Sequence, residues 1–176
     1  MKGLLRSMSR GNEQRQEIVR RSIPIDETLV FTGATGVAVF ATTVIGGLPQ
    51  GNILFLGAVA YLKLSGSGSD ANLTADFEGD YGIGTAPSAD ADLGDAGDDN
   101  VIPSTAIGPA ADEVTALTRG TSTEATEQGL IFDNTDGSLE LNLNVILDAD
   151  EVANGEDSEI RAQGVLHLAY IVLGDD

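Results

Sequence analysis

The sequence predicts an all-β chain: an antiparallel β-sandwich of jelly-roll type with a basic N-terminal arm and a long surface loop. Three observations carry this expectation. Runs rich in Val, Ile, Thr and Phe recur from residue 23 to residue 173, two of them with clean apolar–polar alternation. Clusters of Gly, Pro, Asn and Ser separate the runs and supply turn chemistry. No stretch of the body keeps a helical period over a long helix, which leaves packed antiparallel sheets as the way to bury the apolar faces.

The elements follow in order. Residues 1–22 are a polar leader with little to bury apart from Leu4, Leu5, Met8, Ile18 and Val19. It reads either as a short helix over Asn12–Arg21 or as a segment that orders only on a partner. Ile23-Pro24-Ile25 is extended, because the residue before proline avoids the helical region. Thr28–Thr32 and Val37–Ile45 read as strands, and residues 46–52 supply turn residues. Ile53–Leu64 is apolar on both faces and is expected to be buried on both.

Residues 65–69 alternate Ser and Gly as a loop. Leu73, Ala75, Phe77, Tyr81 and Ile83 then alternate with Thr74, Asp76, Glu78 and Asp80, the pattern of a half-exposed strand with an acidic outer side. Residues 84–129 form an acidic, Thr-rich excursion with short strands near Val101-Ile102 and Val114–Leu117. Leu139, Leu141, Leu143, Val145 and Leu147 give the second clean alternation. The closing strand, Glu159–Leu173, is apolar throughout from Val165, so its second half is expected to be central. The division is therefore an arm over 1–22 and a sandwich body over 23–176.

Charge is distributed as unevenly as hydropathy. Six of the nine Lys and Arg residues lie in the first 21, namely Lys2, Arg6, Arg10, Arg15, Arg20 and Arg21, against two acids there. The whole chain nevertheless carries −19 at pH 7, so the body is strongly acidic. An acidic body repels phosphates, which argues against nucleic acid as its main ligand. Arg6, Arg10, Arg15, Arg20 and Arg21 are candidate donors to carboxylates on a protein partner, with the interleaved apolar residues as anchors.

The uncharged stretch around residues 28–62 is long enough for a membrane span. Gly33, Gly36, Gly46, Gly47, Pro49 and Gly51 break it into pieces of about a dozen residues, short of the ~20 a spanning helix needs. No membrane partner is expected. Met1 to Arg21 holds no continuous apolar segment, so no secretory signal is expected there either. The absence of Cys excludes disulfides and thiolate metal sites.

Little in the chain points to catalysis. Gly33-Ala34-Thr35-Gly36 resembles the glycine-rich turn of a dinucleotide site, but the third glycine position is Val39 and a β-branched run follows instead of a helix. A turn between strands accounts for it, and no cofactor is expected. Asp90, Asp92, Asp95, Asp98 and Asp99 suggest a cation loop, but Gly94 and Val101 stand where an EF-hand needs ligands. A solvated acidic loop is the ordinary reading. His167, the single histidine, sits in the apolar closing strand, and no Gly-x-Ser-x-Gly elbow exists to present a nucleophile. A non-enzymatic protein is expected.

Three segments of the body resemble structural proteins of tailed bacteriophages: Ala41 through Ala58, Phe77 through Thr85, and Val101 through Ala106. The similarity is to head decoration (cement) proteins and other virion components, and it spans about residues 25–173. It implies an all-β, often trimeric protein that binds the major capsid protein on the outer surface of the head and reinforces the lattice. No site residue follows from it. The rival expectations are another virion part (tail, neck or host-adhesion protein), an extracellular calcium-dependent β-sandwich module, and a hydrolase using His167.

Overall fold

The computed structural model describes residues 17–66, 72–94, 97–108, 115–121 and 131–174. Nine strands run in chain order: β1 (Val19–Thr32), β2 (Val39–Gly47), β3 (Gly51–Gly66), β4 (Gly79–Gly84), β5 (Ile102–Ile107), β6 (Thr115–Thr121), β7 (Ile131–Asn134), β8 (Glu140–Leu147) and β9 (Asp157–Gly174). No helix among the described residues is long and apolar enough to cross a membrane.

The pairing is that of a long ribbon wound on itself. β1 pairs with β9, β2 with β8, β3 with β6 and β7, and β4 with β5, all antiparallel. Two further pairings, β3 with β9 and β4 with β8, close the ribbon into two sheets. The first sheet has the order β1-β9-β3-β6, with β7 also on β3, and the second has the order β2-β8-β4-β5. This is the jelly roll that the alternating runs and turn spacing lead one to expect.

Alternation explains the core. On β1, Ile23, Ile25, Leu29 and Phe31 point inward and are buried, while Pro24, Asp26, Thr28 and Val30 are exposed. Pro24 is tolerated because β1 is an edge strand, where its missing N–H breaks no ladder bond to a further strand. Leu141, Leu143, Val145 and Leu147 of β8 meet them from the opposite sheet, with Tyr81 and Ile83 of β4. Burial of these side chains, each worth about 1.5–3 kcal/mol, is the main force holding the two layers together.

The structure departs from the sequence reading at four places. β1 begins at Val19, not Ile23, so Arg20 and Arg21 belong to a strand paired with Ala169 and Leu168 and not to a helix. The outer side of β3 is open: Tyr61 and Lys63 are exposed, although every second residue from Ile53 to Leu64 was expected to be covered. The alternation over residues 73–83 is one strand only from Gly79, because Ala75 and Asp76 form a turn, and Leu73 makes an isolated bridge to Val152. Finally, β7 had no counterpart in the sequence reading.

Residues 85–94 and 97–101 explain why β4 is buried on both sides. The segment lies over the outer side of the second sheet, held by Ala86 N–H to Gly97 O at 2.8 Å and Val101 N–H to Ile83 O at 2.9 Å. A Cβ at Gly84 would stand 2.0 Å from the Gly97 carbonyl oxygen, so only glycine allows this approach. Of the acidic side expected here, Asp80 is half-buried, whereas Asp76 and Glu78 remain exposed. Asn144 of β8, at an outward position, is buried under the same segment.

Candidate functional site

The outer face of the first sheet is open among the described residues, and its register defines a grid. Across β1, β9 and β3 the rows are Arg20–Ala169–Gly57, Ser22–His167–Val59, Pro24–Val165–Tyr61, Asp26–Gln163–Lys63 and Thr28–Arg161–Ser65. On the fourth strand, Arg119 of β6 stands opposite Tyr61.

The centre of the grid is apolar and aromatic. Tyr61 packs edge-on against His167, with ring centroids 6.1 Å apart and planes at 74°. The Ser22 hydroxyl lies 2.8 Å from His167 Nδ1. A register shift between Phe55 and Gly57, together with the small side chains of Ala58 and Ala169, leaves a hollow of about 560 Å³ beside this pair, rimmed by Arg20 and Arg21. Arg21 donates from its guanidinium to the Gly47 carbonyl and so ties the start of β1 to the end of β2. Arg161 holds Asp26 in a two-pronged contact, Nε to Oδ1 at 2.9 Å and Nη2 to Oδ2 at 3.0 Å.

The cations of the described residues are confined to one sheet, while acids occur on both. All five Lys and Arg of the described residues, Arg20, Arg21, Lys63, Arg119 and Arg161, lie on β1, β3, β6 and β9 of the first sheet. β2, β4, β5 and β8, with the described loops that join them, contain none. On the acidic side, burial raises the Asp80 pKa above the ordinary carboxylate value and the nearby Asp148 charge adds to it, against a lowering hydrogen bond from Ser104.

The sequence-predicted residues separate under this geometry. Arg20 and Arg21 stand at the rim of the first-sheet hollow, whereas Arg6, Arg10 and Arg15 lie outside the described residues. The acids of the suspected cation loop serve other ends: Asp99 accepts from Ser104 N–H at 3.0 Å, Asp90 from Asp92 N–H at 3.1 Å, and the Asp98 backbone carbonyl accepts from Asn144. Asp95 lies outside the described residues. Among those described, no three metal-ligating side chains converge.

The Gly33–Gly36 turn receives a structural explanation as well. A Cβ at Gly33 would stand 2.1 Å from the Ala153 carbonyl oxygen, and Gly36, at φ 69°, donates to Asp150 Oδ1 at 2.8 Å. Ser22 pairs with His167 at Nδ1, where a triad places its acid, and Asp26, two rows away on the grid, is held by Arg161. Sequence reasoning missed Tyr61 and Lys63 as surface residues, since both lie in a run that reads as buried.

Comparison with known proteins gives similarity of shape alone. No protein family matches the sequence, and no curated protein does. Among solved structures, the chain is similar to one from the cyanophage Pam1 capsid asymmetric unit at 17% identity and a TM-score of 0.36, covering 89% of this chain and 85% of that one. It is also similar to the VP2 subviral particle of infectious bursal disease virus at 10% identity and a TM-score of 0.41, covering 87% of this chain. There it spans only 32% of the VP2 chain. These values assign neither family nor function.

Proposed function

We propose that this protein is a non-enzymatic virion structural subunit, a decoration or cement protein that sits on the outer surface of a phage head and stabilises its lattice. Its partner is the major capsid protein, and the basic N-terminal residues Arg6, Arg10, Arg15, Arg20 and Arg21 provide the attachment. The observation that carries this reading is the division of charge within one small jelly roll. A body whose acids face solvent is kept from binding its own copies at random, while a cationic end is left to hold a partner. The resemblance of residues 41–58, 77–85 and 101–106 to phage head proteins supports the same reading. A trimer would suit it, since three copies can cover a three-fold junction of a shell.

Light scattering of the pure protein, followed by co-sedimentation with assembled heads lacking it, tests the proposal. A trimer that pellets with the heads in stoichiometric amount and raises their melting temperature is the expected result. A monomer that stays in the supernatant and leaves the heads unchanged would overturn it. Retention on isolated tails instead of heads would move the protein to another part of the virion.

A further inference from the structure

We infer that the outer face of the first sheet is a second docking surface, turned toward an acidic surface of the capsid protein, with the loop-covered second sheet facing away. This rests on the decoration reading and adds to it a contact made by the folded body, which shares Arg20 with the N-terminal attachment residues and is otherwise built from β1, β3 and β9.

The argument begins with charge. In a chain of −19, chance would scatter the few cations over both sheets. Instead every described Lys and Arg is on the first sheet, at positions as distant in sequence as 20, 63, 119 and 161. Only the fold brings them together. Asp26, the acid within the five rows, is held by Arg161, and the exposed acids Glu159 and Asp157 lie beyond those rows, opposite Val30 and Thr32, which leaves Lys63 and Arg20 to give the five rows their sign.

Apolar character accompanies the charge. Tyr61 is 44% exposed and Val30 53% exposed on the same face, and Pro24, Val59 and Val165 extend the apolar centre. An exposed aromatic and aliphatic centre rimmed by cations is the layout of an interface with an acidic protein surface. The second sheet exposes Phe40 and Val44 of β2 but has no Lys or Arg beside them, and β4 and Asn144 lie under residues 85–94 and 97–101.

The choice of occupant follows. A second copy meeting this face with its own would set Arg20 and Lys63 against their equivalents, which is repulsive. Residues 1–16 of the same chain carry four cations and one acid, so they are repelled as well. A carboxylate-bearing partner surface is attracted to all of it.

Size gives the face its role. Five rows over nine residues of strand, eight steps, span about 27 Å, and four strands about 14 Å, an area of roughly 400 Å². That is about half of the ~800 Å² per partner of a standard stable interface. The face is thus a weak site by itself, strengthened by its tether: once the N-terminal residues are bound, the sheet docks at high effective concentration.

The test uses the full-length chain and purified heads lacking it, with binding measured by co-sedimentation at 50 and 500 mM NaCl. The pair Lys63→Glu with Tyr61→Ser should bind at least tenfold more weakly at low salt with an unchanged melting temperature, and Lys63→Arg should bind as the parent does. Glu140→Lys with Val44→Ser, on the second sheet, should bind undiminished. Parent-like binding by the first-sheet pair, with loss in the second-sheet pair, overturns this inference and leaves the decoration reading standing. A parent protein that fails to pellet at either salt overturns both. Pelleting only with DNA-filled heads, abolished by emptying them, would assign the cationic face to nucleic acid and overturn the choice of partner.

Discussion

The side chain of Asn144 accepts the backbone N–H of Ser88 at 2.9 Å, and through this contact a polar residue in the middle of a sheet holds down the loop that buries it. The same Oδ1 accepts the Thr42 hydroxyl at 2.7 Å. Nδ2 donates to the carbonyls of Ala86 at 3.1 Å and Asp98 at 2.6 Å. All four hydrogen-bonding positions of one amide are used, in a fully buried place.

Replacing Asn144 by Ala therefore strands a buried N–H and two carbonyls at once. Leaving such groups unpaired costs about 1–3 kcal/mol each where the loop cannot adjust. A total near 3 kcal/mol is expected, which lowers the melting temperature of a chain this size by about 6–12 °C. Calorimetry checks it. A shift below 2 °C would mean that water replaces the amide and that the loop is held elsewhere.

Gly84 makes the complementary prediction, since it fails through bulk and not through lost bonds. Gly84→Ala puts a methyl group against the Gly97 carbonyl, so the 85–101 segment must lift. A loss of about 3 kcal/mol is expected, with new protease cleavage confined to residues 86–100. Limited proteolysis followed by mass spectrometry reads this directly.

Much of the sandwich was legible in the sequence because each inward face repeats every second residue. Leu141, Leu143, Val145 and Leu147 are visible without any structure, and so is the turn chemistry at Gly46–Asn52. What stayed hidden depends on partners distant in the chain. Asn144 looks like a solvent-facing position until residues 85–94 and 97–101 return over it. Tyr61 and Lys63 look covered until β3 proves to have none of the described residues over them. β7 spans four residues, too few to show a period. The charge of the leader masks Val19, where the ladder to β9 begins. The clustering of Lys63, Arg119 and Arg161 belongs to topology, which composition cannot express.

That ladder changes how the N-terminal arm should be tested. Val19, Arg20 and Arg21 pair with Tyr170, Ala169 and Leu168, so a deletion through residue 21 cuts into the sheet. Removing residues 2–16 spares it. The shorter deletion should keep the melting temperature within about 2 °C of the parent, as surface changes away from packed features cost little. It should also lose stoichiometric attachment to heads. Attachment equal to the parent's would remove residues Arg6, Arg10 and Arg15 from the binding role.

The last prediction concerns pH and sets two acids of opposite sign against each other. Asp80 is half-buried, and its pKa is raised above the ordinary 3.8 first by desolvation and then by Asp148. A raised carboxylate takes up its proton more readily in the folded state, so its contribution is most favourable below pH 3.8 and is lost as pH rises through the folded value. Asp80→Asn keeps the shape and removes the charge, so it should melt higher than the parent at pH 7, with the gap closing at lower pH. Asp133 behaves in the opposite sense. Thr135 gives it a backbone N–H at 3.1 Å and a hydroxyl at 2.8 Å, and these hold its pKa below the ordinary value. Its contribution is present above pH 3.8 and is lost as pH falls through the lowered folded value. Asp133→Ala should therefore melt lower than the parent at pH 7 and converge with it in acid. Thermal melts of the three proteins from pH 7 to pH 3 decide the matter: both variants shifting in the same direction at pH 7 would contradict the environments assigned to these two side chains.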